Sequence, residues 1–276
     1  MSLPLNVSCN TIKYSIIEAL DLRFPHPRPF FIKCTAFRKI IEEACTEKNQ
    51  GNNGFYRVNG WLPDYPDFRD YTFETKSAPR RIQHLNHNAS PHAMFKKAGV
   101  AEAAKAKLPG SVDLREWCSP VEDQDDLGSC TAHAGIGLVE YYERKAFGKH
   151  IDASRLFLYK TTRNLIHQKG DTGAYLRTTM EALILFGVPP EEFWPYDIEN
   201  YDKEPTAFCY SFAQNYQTLQ YVRLDPPLKD TKQTLQRIKT NLAASMPAMF
   251  GFSVYDSIFQ ADDNGRIPFP DKGEKV

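Results

Sequence analysis

An α+β fold is predicted for this 276-residue chain from three observations. Apolar residues recur at helical spacing through residues 129–147, 154–165 and 174–186. A fourth segment of the same kind follows Asp230, with Leu235, Ile238 and Leu242 on one face. Beyond it, Pro247-Ala248-Met249-Phe250-Gly251-Phe252-Ser253-Val254-Tyr255 alternates as a strand does.

Composition narrows the class. Lys+Arg and Asp+Glu balance at 34 each, so net charge gives no reason to expect nucleic acid or an acidic membrane surface. The hydrophobic share of 42% and charged share of 25% are ordinary for a globular chain, and no apolar run reaches a membrane span. The opening Met1-Ser2-Leu3-Pro4-Leu5 lacks the charged and apolar regions of a signal peptide. Cys9, Cys34, Cys45, Cys118, Cys130 and Cys209 follow no regular framework. The expectation is a cytoplasmic protein with no cofactor and no metal.

In chain order, residues 1–58 form an N-terminal extension to which no role is assigned. A short helix is expected over residues 13–22. Pro25, Pro27 and Pro29 impose an extended stretch, and a helix-like pattern returns over residues 30–45. Residues 59–107 form a strap and linker. Its Gly60-Trp61-Leu62-Pro63-Asp64-Tyr65-Pro66-Asp67-Phe68-Arg69-Asp70 reads as an extended strip that can lie along a groove. His84, His87 and His92 lack an accompanying cysteine or carboxylate at ligand spacing, so they read as solvent-exposed linker rather than a metal site. The Ala/Lys-rich residues 94–107 are a weakly helical tether, and a boundary falls at Leu108-Pro109.

Residues 108–276 form the main domain. Residues 111–117 read as extended. A helix over residues 129–147 follows, and Asp152-Ala153-Ser154 caps a second. The third, residues 174–186, stops at Gly187 with Pro189 and Pro190 beyond.

The stretch Pro120-Val121-Glu122-Asp123-Gln124-Asp125-Asp126-Leu127-Gly128-Ser129-Cys130-Thr131-Ala132-His133 carries the chemistry. It runs from a polar loop into the first long helix, so Cys130 falls in the first turn and Ser129 is placed to cap it with its hydroxyl. The positive end of the helix dipole favours thiolate, the nucleophilic form. The Gln124 amide, six residues earlier, can donate to an oxyanion near the Cys130 N–H. An isolated cysteine is more often a small buried hydrophobe; here the loop, the cap and the upstream glutamine agree on the other reading.

The segment resembles the active-site stretch of papain-like cysteine peptidases, in particular the bacterial branch with a Gly-Ser-Cys-Thr-Ala core. The likeness covers roughly residues 108 to 270 and begins at Leu108-Pro109-Gly110-Ser111-Val112-Asp113-Leu114-Arg115. It implies a papain-like fold with the helical left lobe complete and the β-rich right lobe partly present. It implies peptide-bond hydrolysis through a Cys130 thioester, with Gln124 in the oxyanion hole and a peptide or protein as substrate. Gly170, Asp171, Gly173 and Ala174 fall where the family has the glycine-rich wall that pairs with substrate backbone; the same residues also read as the turn before the third helix. Trp194-Pro195-Tyr196 is similar to a family turn. Residues 60–70 are similar to a segment preceding the catalytic domain of bacterial members, which implies a pro-region and a zymogen. The position three before the nucleophile, a disulfide cysteine in secreted relatives, is Leu127.

The general base is the difficulty. In this family the histidine lies about 130–150 residues after the nucleophile, and the last histidine of this chain is His167. The expectation is a C-terminally truncated domain whose histidine and asparagine come from a missing C-terminal segment or a partner, with apolar surface uncovered around Phe250, Phe252 and Tyr255. His133 shares a helix face with Cys130 but leans poorly for a thiolate–imidazolium pair, and reads as a core residue. Asp125 and Asp126 would raise the thiol pKa. A competing function is a non-catalytic pseudo-peptidase that binds peptide or inhibits.

Overall fold

The structure, a computed structural model, describes residues 12–14, 60–65, 67, 70–72, 74–77, 90–218, 220–225, 231–252, 254–261, 267–271 and 273–274. The expected Pro25–Pro29 stretch, the helix-like residues 30–45, His84, His87 and Asp230 lie outside them.

The core is built by three helices: α3 (Cys130–Phe147), α4 (Arg155–Leu165) and α5 (Leu176–Leu185). Ile136, Leu156, Phe157, Leu158, Tyr159, Ala182, Leu183 and Val188 are fully buried among them. Each large apolar side chain in this set contributes roughly 1.5–3 kcal/mol by leaving water. The Ser154 Oγ accepts from the Phe157 N–H at 3.1 Å and starts α4 as its sequence predicts. The third helix begins at Leu176 rather than Ala174, because Ala174–Tyr175 is drawn into a strand, β3.

Ahead of this core stand α1 (Pro91–Lys97) and α2 (Val100–Lys105), separated by Ala98 and Gly99. The expected tether is therefore packed rather than loose: Val100 is buried, and α2 lies against α7 (Thr231–Ala243). Residues Arg115–Trp117, expected extended, form one 3-10 turn closed by the Trp117 N–H on the Leu114 carbonyl at 3.1 Å. After α5 come α6 (Ala207–Ala213), α7 and the strand β4 (Phe250–Phe252).

Two small sheets complete the described residues. β1 (Ile12–Tyr14) pairs antiparallel with β4, Ile12 opposite Phe252 and Tyr14 opposite Phe250. Lys13 and Tyr14 thus sit in a strand where a helix was expected; the open edge of β4 outweighs weak local helix preference. The apolar surface expected around Phe250 is also partly covered, since Phe250 packs against Leu114, Tyr141 and Leu242. β2 (Trp61–Leu62) pairs parallel with β3, Trp61 opposite Ala174 and Leu62 opposite Tyr175. A helix-rich body with a partial sheet portion is the α+β architecture predicted.

Candidate active site

Cys130 is the first residue of α3, and it, Cys118 and Cys209 are in no disulfide. Ser129 precedes it but does not cap with its side chain. Its hydroxyl is instead 2.6 Å from the Tyr196 hydroxyl and 3.3 Å from His133 Nδ1. The Tyr196 O–H donates to the Gln124 carbonyl at 2.8 Å, so the hydroxyl bridges the two ends of the loop before the thiol. The Gln124 amide donates to the Leu127 carbonyl at 3.0 Å, which closes the same loop from inside.

Burial pushes Cys130 up to about 12, against the helpful N–H groups of Thr131 and Cys130, and the Asp171 charge adds to the rise. The helix terminus was expected to lower the pKa; desolvation outweighs it. The acid that acts on the thiol is Asp171, whereas Asp125 and Asp126 are exposed. His133 is held neutral, burial taking it down to about 4. Its Nδ1 lies 3.2 Å from the Ser129 carbonyl, its Nε2 is buried without a hydrogen bond, and its ring stands edge-on to Tyr196 at 5.0 Å. The residue as a whole is half-buried, with one ring nitrogen turned to the Ser129 backbone.

The predicted wall divides into two parts. Gly170 is locked from behind: its carbonyl accepts from Arg163 Nη1 at 2.6 Å and its N–H donates to Asp202 at 3.2 Å. Arg163 is itself fully buried and stacks on Tyr159 at 4.3 Å. The Asp171 carboxylate turns toward the nucleophile loop and accepts the Gly128 N–H on both oxygens at 3.0 Å. It also accepts from the Tyr159 hydroxyl, which in turn accepts the Gly173 N–H at 3.0 Å. Gly173 and Ala174 form the edge itself.

That edge is occupied by the chain's own strap. The Ala174 N–H donates to the Gly60 carbonyl at 2.7 Å, and Trp61 packs on Ala134, Leu176 and Met249. Gly60 is wedged between backbones: a Cβ there would sit 1.9 Å from the Gly128 carbonyl oxygen. Its φ of +73° also belongs to the left-handed region that glycine adopts freely. Farther along, Asp70 takes Arg177 Nε at 2.8 Å and Arg223 Nη1 at 3.3 Å, while Asp64 lies 3.5 Å from Arg177. Burial works against the Asp70 charge, but Arg177, the Asp67 N–H and Arg223 outweigh it and hold the carboxyl below its usual value.

Cys130 heads α3, and Gln124 lies in the loop before it with its amide on the Leu127 carbonyl. Sequence reasoning assigned no role to Tyr196, Tyr159 or Arg177. Tyr196 had a signal in the Trp-Pro-Tyr turn, and Asp70 one in the strap motif; nothing local marked Tyr159. Among the described residues, no group of three or more His, Cys, Asp or Glu could hold a metal ion, and no helix is long and apolar enough to cross a membrane.

A cysteine-headed helix beside a glycine-turned peptide edge, in a helix-rich α+β body, defines the helical half of a thiol-peptidase fold. The family described as papain family cysteine protease matches residues 108–268, and the chain belongs to it. It is similar to an uncharacterized peptidase C1-like protein of Acanthamoeba polyphaga mimivirus, 31% identical over 209 residues. That match takes in 74% of this chain, and the chain spans 63% of the relative's length. Among solved structures it is similar to xylellain, a cysteine protease from Xylella fastidiosa: 29% identity, TM-score 0.56, covering 81% of this chain and 78% of that one.

Proposed function

We propose that this chain carries the nucleophile half of a papain-type cysteine peptidase in its strap-covered, resting form. Cys130 is the attacking thiol. Its backbone N–H and the second N–H of the Gln124 amide, whose first is held by the Leu127 carbonyl, stabilise the oxyanion, and an extended peptide substrate pairs with the Gly173–Ala174 edge. The observation that carries this reading is the pairing of Gly60–Leu62 with that edge, which supports its capacity to hold an extended backbone beside the thiol loop. Residues 60–70 then act as a pro-segment. The histidine and the rest of the sheet lobe come from a segment or partner outside this chain, and their approach to the thiol lowers its pKa by supplying the missing positive charge.

A second reading is a non-catalytic peptide-binding or inhibitory module, since the strap already pairs with the edge as an extended peptide would. Turnover by the full-length protein separates the two. Cys130→Ala is expected to abolish hydrolysis of a fluorogenic peptide and leave thermal unfolding unchanged. Hydrolysis that survives the substitution, or a full-length wild type that neither hydrolyses peptide nor is labelled by a thiol-directed epoxide, rejects the peptidase reading.

A further inference from the structure

We infer that Asp171 is a positioning residue that fixes the Gly128-Ser129-Cys130 backbone from behind the cleft edge while setting a negative charge against the thiol. The inference rests on the peptidase reading only for its consequence in turnover; the tie and the charge act on the thiol itself.

The carboxylate stands on a turn with little freedom, because the neighbouring Gly170 is bonded at both its N–H and its carbonyl. From there Asp171 reaches across 43 positions of sequence to the Gly128 N–H with both oxygens. An ionised carboxylate can only accept, so a backbone N–H and the Tyr159 O–H are fitting partners, and the bonds are charge-assisted. Tyr159 links the same group to the Gly173 N–H, so one carboxylate holds the loop before the thiol and the edge beside it at a set separation. The arrangement carries a conflict. The acceptor that orders the loop also opposes thiolate formation, adding to the larger effect of burial.

The other titratable groups around the thiol do not supply this charge. His133 is neutral, and the Tyr159 hydroxyl is kept protonated by burial and by Asp171 itself. Arg163 stacks behind Tyr159 and bonds Gly170 and Asp202. Asp123 bears on His133, and Asp125 bears on Tyr196 from the exposed loop.

Two substitutions separate the roles. Asp171→Asn keeps an oxygen for Gly128 and removes the charge; Asp171→Ala removes both. Iodoacetamide labelling of Cys130 in the intact chain, mapped by mass spectrometry at pH 8, reads the charge and needs no turnover. Amide exchange at Gly128 reads the tie. Removing the charge raises the thiolate fraction, less a nucleophilicity loss, so Asp171→Asn should label at least about twofold faster. Its Gly128 exchange should stay near wild type, whereas Asp171→Ala should raise that exchange at least about tenfold through loss of the hydrogen bonds. An unchanged labelling rate in Asp171→Asn, or unchanged Gly128 exchange in Asp171→Ala, overturns the inference. Should Asp171→Ala fail to fold, Tyr159→Phe takes its place; faster exchange at Gly128 and Gly173 supports the tie, and unchanged exchange overturns it.

Discussion

Two arginine-centred clusters brace the site, one behind the nucleophile loop and one under the strap, and their charge balances differ. Arg155 lies 3.3 Å from Glu140, 3.0 Å from Asp152, 3.5 Å from Glu122 and 3.9 Å from Glu191. One cation therefore faces four carboxylates. Under the strap, Arg177 and Arg223 face Asp64, Asp70 and Asp225. The outcome differs accordingly. Burial pushes Glu140 up and takes Glu191 up to about 7, Arg155 offsetting only part of the effect. Asp70, with two guanidiniums, is held low instead. The balance of guanidinium against carboxylate thus leaves Glu140 and Glu191 raised in the body and Asp70 held low at the strap.

The comparison is broken most severely by removing the single cation of the Arg155 cluster. Arg155→Leu leaves Glu140 buried and unpaired, and should cost about 3–5 kcal/mol. At about 2–4 °C per kcal/mol for a domain of this size, the thermal midpoint should fall by roughly 10 °C or more. Gly60→Ala should act on the strap alone. It places a methyl 1.9 Å from the Gly128 carbonyl oxygen in a left-handed backbone. The penalty of about 2–4 kcal/mol should appear as faster proteolysis within residues 60–75, with the midpoint of the helical body unchanged. Glu191→Gln is the smallest and tests the sign. A group whose folded pKa is raised contributes stability below its unfolded value of 4.5 and loses it as pH rises through about 7. Wild type should therefore gain stability from pH 7 to 5, and the glutamine variant should lose about 1 kcal/mol or more of that gain. Asp70 contributes the opposite way, its stability present above 3.8 and lost only as pH falls through a lower value. Mild acid should leave the strap docked, as protease resistance of residues 60–75 at pH 5 will show.

What could be read from sequence was what neighbours in sequence decide. The start of α4 at Ser154 and the end of α5 before Gly187 follow from caps and breakers acting within one turn. Cys130 at the head of α3 was legible for the same reason. The Ser129 hydroxyl was not, because its partner Tyr196 stands 67 positions away and competes with the local N–H. The thiol's pKa was misjudged because the dipole is a local property, while burial depends on the whole packed surface. The strap was recognised as an extended strip, but its parallel pairing with Ala174 and Tyr175 is fixed by contacts that no local pattern encodes. Asp171 was placed at the wall by position along the chain; only three dimensions show its carboxylate turned to Gly128.

The wedge of Gly60 between Gly128 and Gly173 has a mechanical meaning. A strand held by backbone hydrogen bonds could slide along its neighbour by two residues, since that step restores the same donors and acceptors. Here such a slip would bring Val58 or Leu62 into the slot, and each carries the Cβ for which there is no room. The glycine is a key that fits at one notch, and it sets which side chain of the strap stands at each position along the cleft.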